Sequence, residues 1–224
     1  MSQPVGEVVD ATPAKRPEPV TLAGRYGRIE KLNAAKHGSE IWEAVKGHDE
    51  VWTYLFQAPF AKRQDFDAYI EAAASREDPY AYAILDARNR ALGYATLMEI
   101  RPANRTIEVG NILYSPLLQK TRLATEVQYL LARYAFEELG NRRYEWKCNA
   151  LNAPSRRAAE RFGFTYEGTF RQHMIVKGKN RDTAWYAMLD SEWPDRKRAF
   201  DAWLAPDNFD AEGRQKKKLE QFRE

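Results

Sequence analysis

The sequence predicts a single α/β (α+β) domain built on a central mixed, mostly antiparallel sheet flanked by helices. Three observations predict it. Strand and helix periodicities alternate as strand, two helices, three strands, helix, strand, helix, strand, strand. The three consecutive strands are joined by short turns and so form an antiparallel meander, whereas the helix crossovers favour at least one parallel pairing. The 224 residues, 44% apolar and 12% aromatic, are enough for one sizeable core and too few for two.

The elements follow in order. Residues 1–19 contain four prolines and no apolar stretch, which reads as a mobile leader, extending to 24, and not as a signal peptide. Residues 25–32 form a first strand, and Asn33 then caps a helix to about 46, with Ile41, Trp42 and Val45 on one face. An aromatic stretch at 51–56 ends at Pro59, and a second helix spans 62–75 through Phe66, Tyr69, Ile70 and Ala73. The meander strands are 80–86, 91–100 and 106–114, separated by turn residues at 88–90 and 102–104. A long helix covers 119–139, carries the stripe Val127, Leu130, Leu131, Tyr134 and Ala135, and is closed by Gly140. A strand at 143–149 leads to a short helix at 152–162, opened by Asn152 and Pro154 and ended by Gly163. Strands at 164–176 and 182–189, joined around 177–180, complete a domain that runs from 25 to 190. A helix at 195–204 and a basic tail ending in Arg214 and Lys216, Lys217 and Lys218 occupy 191–224.

Composition excludes several classes. The charge balance is close, 35 basic against 32 acidic residues, which argues against bulk nucleic-acid binding while leaving room for a local basic patch. Cys148 is the single cysteine, so no internal disulfide forms and a reduced, cytoplasmic setting fits. No apolar run is long enough for a membrane span. His37, His48 and His173 are scattered and Cys148 has no neighbours at zinc-ligand spacing, so no metal is expected.

The segment richest in chemical information is the third meander strand, its turn and the helix after it. A strand feeding a helix through Gln119, Lys120, Thr121 and Arg122 presents several free N–H groups at a helix N-terminus, where the helix dipole adds to their attraction for anions. Lys120 and Arg122 add charge, and a pyrophosphate is the ligand type that suits such a turn. The second segment runs Trp146-Lys-Cys-Asn-Ala-Leu-Asn152-Ala-Pro-Ser155 and on to Gly163-Phe164.

These two segments resemble the GNAT superfamily of N-acetyltransferases, and within it the RimJ/RimL branch. GNAT enzymes carry Gln/Arg-x-x-Gly-x-Gly/Ala at the turn, and here the hexad is Gln119-Lys120-Thr121-Arg122-Leu123-Ala124, with Arg122 in place of the first glycine. Glycine permits close backbone approach, and arginine does not share that freedom. The second segment resembles the block Asn-x-x-Ser/Ala…Gly-Phe. Many members place a tyrosine acid four residues before its glycine, where this chain has Ala159; the RimL-type branch instead proposes a serine three residues after the asparagine, where this chain has Ser155. The resemblance, over about 25–190, implies acetyl-CoA as co-substrate. Its contacts would be the backbone of Leu113 and Tyr114, the turn from Gln119 through Lys120, Thr121, Arg122, Leu123, Ala124 and Thr125, and Asn152.

Acetyl transfer by direct attack in a ternary complex requires a neutral amine, a polarised carbonyl and a route out for the thiolate. An α-amine, with pKa about 8, needs about 3 kcal/mol less to lose its proton at neutral pH than a lysine at about 10.4. Glu108 is the candidate base, with a solvated strand carboxylate or an ion pair to Arg105 as its structural alternatives, and Ser155 is the candidate acid, with an ordinary first-turn cap as its alternative. By the same resemblance, a backbone N–H near 112–114 would polarise the carbonyl. Cys148 reads as a small buried apolar residue, and Trp42, Trp52, Tyr54 and Phe56 read either as core or as acceptor pocket. The acceptor is a primary amine, on a small molecule or a protein N-terminus. A homodimer, common in the branch resembled, is left open. Two rival readings stand: a catalytically silent acyl-CoA-binding module, suggested by Arg122 and Ala159, and a ribosome- or RNA-associated protein, suggested by the basic tail.

Overall fold

A computed structural model describes residues 3–223. The strands are β1 (Leu22–Ala23), β2 (Gly27–Lys31), β3 (Tyr80–Asp86), β4 (Ala91–Arg101), β5 (Thr106–Tyr114), β6 (Arg143–Asn149), β7 (Thr165–Val176) and β8 (Lys179–Leu189). The helices are α1 (Ala34–Val45), α2 (Arg63–Ser75), α3 (Arg122–Arg133), α4 (Ala153–Phe162) and α5 (Trp193–Leu204). All eight strands form one sheet in the order β1-β2-β3-β4-β5-β6-β8-β7. Every pairing is antiparallel except β5 with β6, the pair separated by the α3 crossover.

Local chemistry sets the helix ends. Asn33, Thr121 and Asn152 each occupy an N-cap and accept from the backbone N–H three residues on, at Lys36, Ala124 and Ser155. Gly163 ends α4 in the left-handed region at φ +94°, where a side chain would be strained. Each face of the sheet carries its own core. Val127, Leu130 and Leu131 of α3 pack with Ile107, Tyr144 and Phe200 on one side, and Ile41, Phe66 and Ile70 pack with Tyr94 and Leu113 on the other. Fully burying each such side chain is worth about 1.5–3 kcal/mol.

The single mixed-sheet domain and the lone parallel pair are as the sequence predicts, and β3, β5 and β6 occupy the expected residues. Several boundaries differ, among them β8, which starts at Lys179 and not 182, and α5, which starts at Trp193 and not 195. The strand expected at 25–32 is the second arm of a small hairpin, pinned to α3 because Glu126 accepts from the backbone N–H groups of Arg25 and Tyr26 at 2.5 and 2.8 Å. Helix α3 starts at Arg122, not 119, because Lys120 adopts φ +62° and breaks the helical path. The helix closes through a wider π-type turn at Tyr134–Glu138 before Gly140. The stretch 51–56 forms only one 3₁₀ turn, Asp49–Trp52, and then loop.

The two ends of the chain also differ from expectation. The predicted flexible leader is tied down from Ala14, whose N–H donates to Pro102 O, and Glu18 O accepts from Tyr82 Oη at 2.9 Å. The predicted solvated tail folds back on the domain: Leu219 is 1% exposed, Gln215 accepts from Trp203 Nε1 at 2.8 Å, and Arg223 donates to Glu160 O at 3.1 Å. Arg214 is held by Asp210 and Glu212. The basic run is therefore part of a clasp over α4 and α5. No helix among the described residues is long and apolar enough to cross a membrane.

Candidate active site

The site begins where two strands part. β5 and β6 pair only from Thr106↔Arg143 to Val109↔Trp146. Beyond Val109, β5 keeps its partner on the other side, with Gly110 opposite Thr96, Leu113 opposite Tyr94 and Tyr114 opposite Gly93. Asn111, at φ +45°, marks a bulge in that ladder. A Cβ at Gly110 would lie 2.5 Å from Met98 Sδ and 3.2 Å from a Glu108 carboxylate oxygen, so a side chain there would push these two flexible side chains aside. The parting opens a cleft of about 1480 Å³ that runs from the turn before α3, past the start of α4, to the loop at 51–56. Its β6-facing strand edge starts at Gly110, earlier than the 112–114 expected from the sequence.

At one end of the cleft lies the turn before α3. Its internal bonds run from Leu118 N–H and Gln119 N–H to Ser115 O, and from Thr121 N–H to Leu118 O. Gln119 Nε2 closes the turn on Tyr114 O at 3.0 Å, and Thr121 Oγ1 accepts from Ala124 N–H at 3.1 Å. The N–H groups of Lys120, Arg122 and Leu123 donate to no protein acceptor among the described residues. Three free donors at the positive end of a helix, with the chain turned left-handed at Lys120, form a cradle suited to a diphosphate.

The structure redistributes the roles expected of this segment. Gln119, Lys120, Thr121, Arg122, Ala124 and Thr125 all line the cleft. Arg122 does not lie free along it: its guanidinium packs over Tyr26 and Phe209, 4.7 and 4.9 Å from the ring centroids. The residue that replaces the family glycine thus joins α3 to the C-terminal clasp. Leu113 and Leu123 do not line the cleft; both side chains are core, so only their backbone is placed to meet a ligand. Tyr114 lines it, but its hydroxyl donates to Ala124 O at 3.2 Å and accepts from Gln128 Nε2 at 2.7 Å.

In the middle of the cleft, Asn152 Oδ1 accepts from Ser155 N–H at 3.1 Å, the expected cap, while the Asn152 amide N–H groups have no acceptor among the described residues. Ser155 Oγ accepts from Trp146 Nε1 at 3.0 Å, which leaves the hydroxyl proton free to be donated. The Cys148 thiol lies beside it, its pKa pushed up by burial. Ala159 is fully buried, so no acid stands where many relatives carry tyrosine.

At the far end, Glu108 is 5% exposed and does not pair with Arg105, whose Nε instead donates to Gly140 O. Its partner is Lys147, whose Nζ lies 2.9 Å from Glu108 and 2.9 Å from Glu145. Glu145 also accepts from Arg143 Nε at 2.7 Å and is held below the ordinary carboxylate value by these two cations, although burial opposes them. Glu108 has only the shared ammonium, and burial pushes its pKa up to about 7. Above it, Tyr54 Oη donates to Leu151 O at 3.1 Å and Lys177 Nζ donates to Trp52 O and Gln57 O at 2.8 and 3.1 Å, which fixes the 51–56 loop as a roof. The aromatic stretch divides: Trp42 packs tilted and Trp52 edge-on against Phe66 of the core, while Tyr54 and Phe56 line the cleft.

Lys147, Trp146, Arg181 and Trp185 are cleft residues that the sequence did not single out. The alternation of Glu145 and Lys147 along one strand face was a readable signal. Arg181 lies in the gap between the loop expected at 177–180 and the strand expected at 182.

A strand-parted mixed sheet with an amide cradle at the helix after the bulge is an arrangement suited to a diphosphate-bearing co-substrate lying along the cleft. Residues 31–165 match the family described as the acetyltransferase (GNAT) domain. The chain is 33% identical over 156 residues to the N-acetyltransferase YnaD of Bacillus subtilis, a match covering 68% of this chain and 89% of that one. It is 31% identical over 105 residues to the B. subtilis protein named "Putative ribosomal N-acetyltransferase YdaF", covering 47% of this chain and 57% of that relative's length. A GCN5-related N-acetyltransferase from Brucella melitensis superposes with a TM-score of 0.93 at 50% identity, over 96% of this chain and 98% of that structure. The chain belongs to the GNAT family of acyl-CoA-dependent N-acetyltransferases.

Proposed function

We propose that the protein transfers an acetyl group from acetyl-CoA to a primary amine, of a small molecule or a protein N-terminus, by direct attack within a ternary complex. One observation carries this reading: the parting of β5 and β6 opens a single cleft with the amide cradle at one end and a buried carboxylate near neutral pKa at the other. Bound acetyl-CoA supplies an activated acyl thioester. The Lys120, Arg122 and Leu123 amides would hold its diphosphate, and Asn152 would face the pantetheine arm. The unpaired strand edge from Gly110 would lend N–H groups to the carbonyl.

Glu108 takes the proton from the acceptor ammonium, directly or through a water. Its pKa of about 7 leaves it largely ionised just above neutrality while still basic enough to accept that proton. Ser155, with its lone pair engaged by Trp146, donates its hydroxyl proton toward the departing sulfur. A cytoplasmic setting is in keeping with the buried free Cys148. The test is release of CoA thiol with a panel of amines. Turnover that survives both Glu108→Gln and Ser155→Ala would remove the assigned roles, and acetyl-CoA binding with no turnover on any acceptor would favour a silent binding module instead.

A further inference from the structure

The half of the cleft under the 51–56 roof holds a cation with no anion in contact: Glu108 acts on Arg181 only through space. Arg181, on β8, is 8% exposed, and its guanidinium makes no salt bridge or hydrogen bond among the described residues. Its Nε is sealed from solvent with no acceptor, and its flat face rests 5.2 Å from the Phe56 ring centroid. The other cations here are accounted for. Lys147 bridges Glu108 and Glu145, Lys177 is held by backbone carbonyls, and Arg101 is paired with Glu99.

Four residues along the same strand, on the same face, Trp185 Nε1 is a second buried donor with no acceptor. Its ring is fixed between Phe170, at 4.6 Å, and Lys147 Nζ, at 4.2 Å. His173 is already committed to Thr183 Oγ1 at 3.0 Å. A buried charge left without a partner is costly, and Arg181 stands ready for a ligand that satisfies it.

Resting on the acetyl-transfer reading above, we propose that Arg181 binds a carboxylate carried by the amine acceptor. The guanidinium presents a planar fork matched to a carboxylate. The substrate class is then amines bearing a nearby carboxylate: free amino acids, or peptides with an acidic residue at or beside the N-terminus. Amines without an anion are poor acceptors, because they leave the Arg181 guanidinium buried and unpaired.

The experiment measures CoA release with matched pairs. One arm compares free amino acids with their α-carboxamides; the other compares tripeptide amides carrying Asp or Glu at the first or second position with their Asn or Gln counterparts. The acid member is expected to exceed its amide in kcat/KM by on the order of tenfold to a hundredfold in one arm, which identifies the source of the carboxylate. Arg181→Met should bring the acid down to the level of the amide, with acetyl-CoA affinity by calorimetry unchanged. Amides used as well as acids, a preference that persists in Arg181→Met, or no acceptor from either arm although acetyl-CoA binds would each overturn the proposal. Should Arg181→Met fail to fold, the wild-type acid-to-amide ratio still decides. Absence of both acetyl-CoA binding and turnover would instead refute the acetyl-transfer reading itself.

Discussion

Replacing Glu108 by glutamine should change activity and stability in opposite directions across one pH window. The carboxyl is buried, and its pKa is raised from the ordinary 4.5 to about 7. Between those values the unfolded chain has lost the proton and the folded chain retains it, so stability falls as pH rises. The fall begins above the unfolded pKa and levels off once pH passes about 7. At 1.36 kcal/mol per unit, that interval amounts to about 3 kcal/mol for wild type, and the Glu108→Gln variant should lack this component. Activity runs the other way. Glu108 must be ionised to take the proton from the acceptor ammonium, so log kcat/KM should rise with slope one below about pH 7 and level off above it, up to the amine's own pKa. Glu108→Gln should lack that break and be slower above pH 7 by about 10²–10⁴-fold. Urea denaturation at a series of pH values gives the stability difference, and thiol release over the same series gives the rates. A wild-type rate profile with no break near the pH where the stability difference levels off would refute the assignment of Glu108 as base.

Three further outcomes follow from the same structure. Ser155→Ala should lower kcat by about 10²-fold or more with little change in the KM for acetyl-CoA, and steady-state kinetics with both substrates varied checks this. Arg122→Gly, which restores the family glycine, should lower stability by about 1–2 kcal/mol through loss of the contacts over Tyr26 and Phe209 while calorimetry shows acetyl-CoA affinity retained, because backbone amides and not this side chain are assigned to the diphosphate. Deleting residues 213–224 removes the buried Leu219 and the acceptor of Trp203 Nε1, and thermal unfolding should register a loss of at least about 2 kcal/mol.

What the sequence revealed and what it concealed divide along one physical line. Elements specified by their own residues were legible: the alternation in β5 and β6, the cap at Asn152, the stop at Gly163. Hidden were features that exist only through distant contacts. The lysines at 216–218 read as solvent-exposed, yet next to them Leu219 is buried against the domain. Arg122 read as a phosphate ligand because its two aromatic partners come from the β1–β2 turn and from beyond α5. The ion-pair alternative for Glu108 named Arg105, which is near it in sequence, whereas its actual partner Lys147 is brought to it only by the parallel register of β5 and β6.

That register links the opening of the cleft to the protonation of its base. Glu108 lies opposite Glu145 one rung before the last pair, Val109↔Trp146. Two carboxylates on facing positions repel, and Lys147, on the same face of β6 as Glu145, leans back to bridge them. Arg143 secures Glu145 as the ionised member, so the remaining proton affinity of the trio collects on Glu108. A ladder continuing past Val109 would cover this trio with strand, whereas the bulge at Asn111 leaves Glu108 at the apex of the gap, buried by its surroundings and open only toward the cleft. Any change that re-pairs β5 with β6 beyond Gly110 should therefore remove the acyl site and the poised base together. Changing Lys147 alone should leave the cleft intact and move the break in the pH–rate profile upward, because the ammonium that favours ionised Glu108 would be gone.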